Sequence, residues 1–165
     1  MTESVAVSII SELPGYVNSN PKIVRIHPDK LKVSHDELLM KSLPNGAEPG
    51  HFYQDNLGRH KIISYVFDIN SDEHRADLVS IGFTIEKNAV IKGLQYVLGK
   101  LIEAMKNHGV LNVEMLDEHL PVILDGLQKE SRIKIGKMVF DVKAVLKQSN
   151  TTIKKKKRKR RGAML

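Results

Sequence analysis

The residues of this chain that could do chemistry are seven histidines, a few adjacent acids, one glycine-lysine pair and a run of eight cations. The histidines are His27, His35, His51, His60, His74, His108 and His119. No two stand four apart on a predicted helix, and the chain has no cysteine to complete a metal set. The expectation is solvated histidines and no metal centre. His51 and His60 flank one predicted loop, which makes them the pair to inspect first. The lack of cysteine also excludes disulfides and a thiolate nucleophile.

Gly93 and Gly99-Lys100 resemble a phosphate loop only in outline. The spacing is one residue too long, and Leu101 stands where a magnesium-binding hydroxyl belongs. The stretch also falls inside a predicted helix, where two glycines let helix and sheet approach closely. No nucleophile elbow of the Gly-x-Ser-x-Gly type occurs. Asp72-Glu73 and Asp117-Glu118 fall on predicted loops or exposed helix faces, where neighbouring carboxylates usually aid solubility rather than form an acid/base pair. These residues call for no catalytic group and no cofactor.

The cations carry the strongest signal. The formal net charge is +7, yet Lys154, Lys155, Lys156, Lys157, Arg158, Lys159, Arg160 and Arg161 are consecutive. The remaining 18 Lys and Arg stand against 19 Asp and Glu, so the body alone sits at −1. Such a run can lie on an anionic membrane, neutralise nucleic-acid phosphates or act as a nuclear address. Met164 and Leu165 add a little apolar weight toward the membrane, and no C-terminal cysteine invites prenylation, so the expected contact is reversible. No apolar run approaches the ~18–20 residues that span a bilayer. The first residues lack the basic leader of a signal peptide, and the expected location is cytoplasmic, peripheral at a membrane.

A chain of 165 residues, 41% hydrophobic and 27% charged, can bury one real core. Its organising stretch runs from Lys61 to His108. Ile63, Tyr65, Phe67 and Ile69 line one side of a strand and Ile62, Ser64 and Val66 the other; both sides are largely apolar, so both faces are expected to be covered. An eight-residue polar connection, Asn70–Asp77, leads to a strand with Val79, Ile81, Phe83 and Ile85 on one face. A long helix follows, with Asn88 as candidate N-cap, an apolar face from Val90 to Met105 and a stop at Gly109. A second helix is expected over Val113–Lys129, kinked or divided at Pro121.

Before this stretch, Val5, Val7 and Ile9 predict a strand, and Ile23, Val24 and Ile26 a second strand in a hairpin with it. Ser34 caps a short helix over His35–Met40. His51–Gln54 reads as a short strand before an Asp55–Arg59 turn. After it, Arg132–Gln148 fits both periods. Strand is the preferred reading, with a turn at Gly136-Lys137. From Ser149 onward the composition predicts disorder.

The order strand, strand, helix, about three strands, helix, helix resembles the longin-type, profilin-like topology. Leu38-Leu39-Met40-Lys41-Ser42-Leu43-Pro44-Asn45-Gly46-Ala47-Glu48-Pro49-Gly50, then Tyr65-Val66-Phe67 and Arg75-Ala76-Asp77-Leu78-Val79-Ser80, are similar to archaeal longin-like proteins of lineages rich in eukaryote-like small GTPases. The resemblance covers roughly residues 1–130 and leaves the cationic run outside.

It implies an α+β domain over residues 1–148: an antiparallel sheet of about five strands with two C-terminal helices packed on one face. A disordered polybasic tail would occupy 149–165. It further implies a non-catalytic platform. Such a domain forms homo- or heterodimers with longin or roadblock partners and docks or regulates small Ras-like GTPases or trafficking complexes. Residues 154–161 would meet anionic membrane. A nucleic-acid-associated protein, binding phosphates through the same run, is the competing expectation.

Overall fold

The computed structural model describes residues 7–12, 22–27, 34–72, 75–86 and 92–149. The fold is α+β. Strands β1 (Val7–Glu12) and β2 (Lys22–His27) precede helix α1 (His35–Ser42). Strands β3 (His51–Leu57), β4 (His60–Asp72) and β5 (Arg75–Glu86) follow. Helices α2 (Lys92–Asn107) and α3 (Val113–Lys129) come next. A hairpin of β6 (Arg132–Ile135) and β7 (Met138–Asp141) and a helix α4 over 142–149 close the described chain.

The antiparallel block β3-β4-β5 carries the core of the sheet, and β1 and β2 continue it from the outer edge of β5 in the order β2-β1-β5-β4-β3. The sheet is covered on both faces, because β4 and β5 are apolar or small on both. Ile63, Phe67, Ile69, Val79, Ile81, Phe83 and Ile85 form one buried cluster with residues of α2, α3 and the β6-β7 hairpin. On the other face Leu38 of α1 packs with Leu57 and Ile62, and Leu43 packs with Val66. Here the sheet is low in relief: Ser64 faces Gly82, Val66 faces Ser80, and all four are buried. Ser80 Oγ donates to the Ser42 carbonyl at 2.6 Å, tying the end of α1 to the sheet.

Local signals explain most boundaries. Ser34 Oγ accepts from the Glu37 amide at the start of α1. Gly109 takes φ +69° after α2, and its amide donates to the Lys106 carbonyl. Asn112 Oδ1 accepts from the Met115 amide at 2.8 Å to open α3. Both tight hairpins, β3-β4 and β6-β7, turn on two residues led by a positive-φ glycine, Gly58 and Gly136.

Five expectations are corrected. The β4-β5 connection is not eight residues long, since the ladder continues to Asn70↔Ala76 and Asp72↔Arg75. Polar side chains there do not stop backbone pairing. The strand expected at His51–Gln54 runs on to Leu57, and its turn is only Gly58-Arg59. Pro121 lies inside α3 and does not divide it. The strand preferred for Arg132–Gln148 ends at Asp141, where α4 begins; Asp141 Oδ1 accepts from the Ala144 amide and so acts as the N-cap. Finally, two C-terminal helices on one face understate the architecture: α1 covers the opposite face, and β6-β7 forms a separate two-stranded sheet. Asn88, Val90 and Ile91, together with the tail, lie outside the described residues.

Candidate functional site

Edge strand β3 and the ground on either side of it form the candidate site. In the sheet order β3 is terminal, so one of its edges has no strand beside it among the described residues. It is seven residues long, contains no proline and bears only Asp55 as a full charge, so few of the usual devices against edge-to-edge pairing are present. One end is partly covered: Lys41 Nζ donates to the Asn56 carbonyl and to Glu37 Oε1, the latter at 2.9 Å. At the other end the Leu43–Gly50 loop is pinned to the sheet. The Gly50 amide donates to the Val66 carbonyl at 2.7 Å, and the Glu48 amide donates to Tyr53 Oη at 2.9 Å.

A cleft of about 390 Å³ opens beside this strand, between β4, the Pro49-Gly50 turn and α2. Its floor is aromatic. The Tyr65 ring lies 4.5 Å from Phe52, tilted by 33°, and 5.8 Å from Phe67, tilted by 24°. Gly99 on α2 faces the Phe52 ring; a Cβ there would stand 3.5 Å from the ring, an ordinary contact distance. Asp68, Glu103 and Lys106 form the rim. Burial raises the Tyr65 phenol above its ordinary value of 10.0, and the Glu103 and Asp68 carboxylates push the same way. A phenol held neutral in this manner is a poor base at neutral pH. What the cleft offers is an aromatic wall with two acids and a lysine at its lip. A second, more polar hollow of about 310 Å³ is lined by Gln54, Asp55, Asn56 and Lys61 at the far end of the same strand.

The other predicted positions are not brought together. His51 pairs with Val66 and His60 with Leu57, which puts the two histidines at opposite ends of the β3-β4 ladder. His51 instead stands 3.5 Å from Glu48. His108, just past α2, and His119, within α3, each place Nδ1 against the carbonyl four residues back, at 2.8 and 2.9 Å. No group of three potential metal ligands occurs among the described residues. Gly93 and Gly99 both lie within α2, and a Cβ on Gly93 would meet Leu146 of α4 at 3.2 Å, so Gly93 serves the packing of α2 on α4. Asp117 of the acidic pair is engaged by Arg25. Residues Lys154–Arg161 lie outside the described residues.

Sequence reasoning missed the Phe52-Tyr65-Phe67 stack. Tyr65 and Phe67 share a strand face by alternation, but bringing Phe52 beside them needs the β3-β4 register. No described helix is long and apolar enough to cross a membrane. No protein-family model matches the chain, and no curated protein matches it in sequence.

Proposed function

We propose that this chain is a longin-like, non-catalytic interaction domain that dimerises and docks or regulates small Ras-like GTPases or trafficking complexes. Lys154–Arg161 serve as its anionic-membrane tether. The observation that carries the reading is the β3 edge, which no described strand pairs, flanked at one end by the aromatic cleft. Backbone groups on such an edge give affinity by strand addition, and alternate side-chain pockets give selectivity. An antiparallel sheet with α1 on one face and α2 and α3 on the other supports the profilin-like topology within this reading.

The test is a binding assay of the full chain against small GTPases in both nucleotide states, with exchange and hydrolysis rates followed in parallel. Light scattering gives the mass of the chain alone and with each candidate. The reading expects a mass above the monomer and binding that differs between nucleotide states. A strict monomer that binds neither state removes it.

A further inference from the structure

The last folded segment differs in charge from everything before it. Residues 1–130 hold 13 Lys and Arg against 18 Asp and Glu, whereas residues 131–149 hold five against one. That one acid, Asp141, is occupied: it accepts from the Ala144 amide and lies 3.9 Å from Arg132. The β6-β7 hairpin buries Ile133, Ile135, Met138 and Phe140 in the main core. By alternation its outer face presents Arg132, Lys134 and Val139, with Lys134 and Val139 directly opposite each other across the ladder. Val139 is 56% exposed, an aliphatic side chain in a cationic setting. Lys137 is exposed in the turn and Lys143 on the first turn of α4, and no described acid pairs with Lys134, Lys137 or Lys143.

We propose that the outer face of the β6-β7 hairpin, with Lys134, Lys137 and Lys143 around the exposed Val139, docks on an anionic lipid bilayer. This deepens the membrane part of the proposed function and is independent of its partner part. An exposed aliphatic side chain among unpaired cations fits a lipid surface, where the cations meet headgroups and the valine enters the acyl boundary. Nucleic acid would have little use for the valine, and this face offers no exposed aromatic on which a base could stack. The eight-cation run begins after a further 12 residues, 142–153, beyond α4, so its charge adds to the same end of the chain. A folded face adds what a run of lysines cannot, namely a fixed orientation of the body, and with it of the β3 edge.

Flotation of the full chain with vesicles of neutral lipid, with and without an anionic component, tests this against two full-length variants. One carries Lys134→Gln, Lys137→Gln and Lys143→Gln; the other replaces all of Lys154–Arg161 by glutamine. Each lysine near the surface contributes about fivefold to binding, so the face variant is expected to lose on the order of a hundredfold. The tail variant is expected to retain salt-sensitive binding that the face substitutions then remove. Val139→Ser should weaken vesicle binding and leave binding of a single-stranded oligonucleotide unchanged. Circular dichroism confirms that each variant folds. Face-variant binding equal to that of the parent overturns the proposal. So does a face whose substitutions lower oligonucleotide binding alone. If the tail variant binds vesicles like the parent while the face variant does not, the tether reading fails and the docking face stands.

Discussion

Arg25 on β2 donates a 2.6 Å hydrogen bond from Nη1 to the backbone carbonyl of Asp117 on α3, 92 residues away. In an α-helix that carbonyl would accept from the amide of residue 121, and residue 121 is proline. The guanidinium therefore satisfies the acceptor that Pro121 leaves open, and the same contact ties the outer strand of the sheet to α3. The Asp117 carboxylate, 3.7 Å from the guanidinium, contributes little, because the two side chains are 36% and 46% exposed. Arg25→Ala should cost about 1.5 kcal/mol in urea unfolding, the lower figure for a hydrogen bond to a charged group. Asp117→Asn should cost much less. In a Pro121→Ala background the helix supplies its own amide, and the penalty of Arg25→Ala should fall by about 1 kcal/mol. Equal penalties in the two backgrounds would refute the coupling.

The glycines within helices should respond with opposite signs. A Cβ on Gly126 would stand 2.4 Å from Cγ1 of the fully buried Ile133, where α3 meets β6. Gly126→Ala should destabilise by about 1–3 kcal/mol through overpacking, despite the better helix propensity of alanine. Gly99→Ala has ordinary contact distance to Phe52, and should be neutral or stabilise by up to ~1 kcal/mol. Urea midpoints of the two variants give the comparison.

Stability should fall on the alkaline side through Tyr65. Its phenol ionises above 10.0 when folded, because burial and then the carboxylates of Glu103 and Asp68 disfavour the anion. The unfolded chain ionises near 10.0. As pH rises through that window the unfolded state binds fewer protons, and stability is lost. Below the window Tyr65 contributes no pH dependence. Tyr65→Phe should flatten the decline seen in denaturant midpoints taken across that range. Glu103→Gln should lower the pH at which Tyr65 ionises, read in the ultraviolet absorbance of phenolate as a difference from the parent.

A single lysine on the β3 edge should discriminate an edge-built dimer from any other. Gln54 is exposed on β3. Across a two-fold pairing of this edge, Gln54→Lys places like charges near one another and should weaken association on the order of tenfold, with the urea midpoint of the monomer unchanged. Concentration-dependent light scattering reads it. An unaltered mass profile would place the contact elsewhere.

Much of the architecture is legible from the order of the residues. The 3.6-residue period of Val113, Leu116, Leu120, Ile123, Leu124 and Leu127 marks α3 to its observed ends. Apolar residues on both sides of Ile62–Ile69 announce a strand covered on both faces, because only burial rewards that pattern. The candidate site is less legible. Phe52 belongs to a strand that reads as too short, and its partners Tyr65 and Phe67 read as ordinary core.

What the residues determine unaided is local: periodicity, caps, two-residue turns and the segregation of positive charge toward one end. Tertiary structure decides the competitions that local energetics leave nearly balanced. Between Met138 and Leu146 the strand and helix periods both fit; pairing with β6 favours strand as far as Asp141, whose carboxylate then caps a helix. At Pro121 a backbone hydrogen bond is lost, and Arg25 stands at the carbonyl left open. A partner so distant along the chain exists only once the sheet and the helix have met, and no local pattern can contain it.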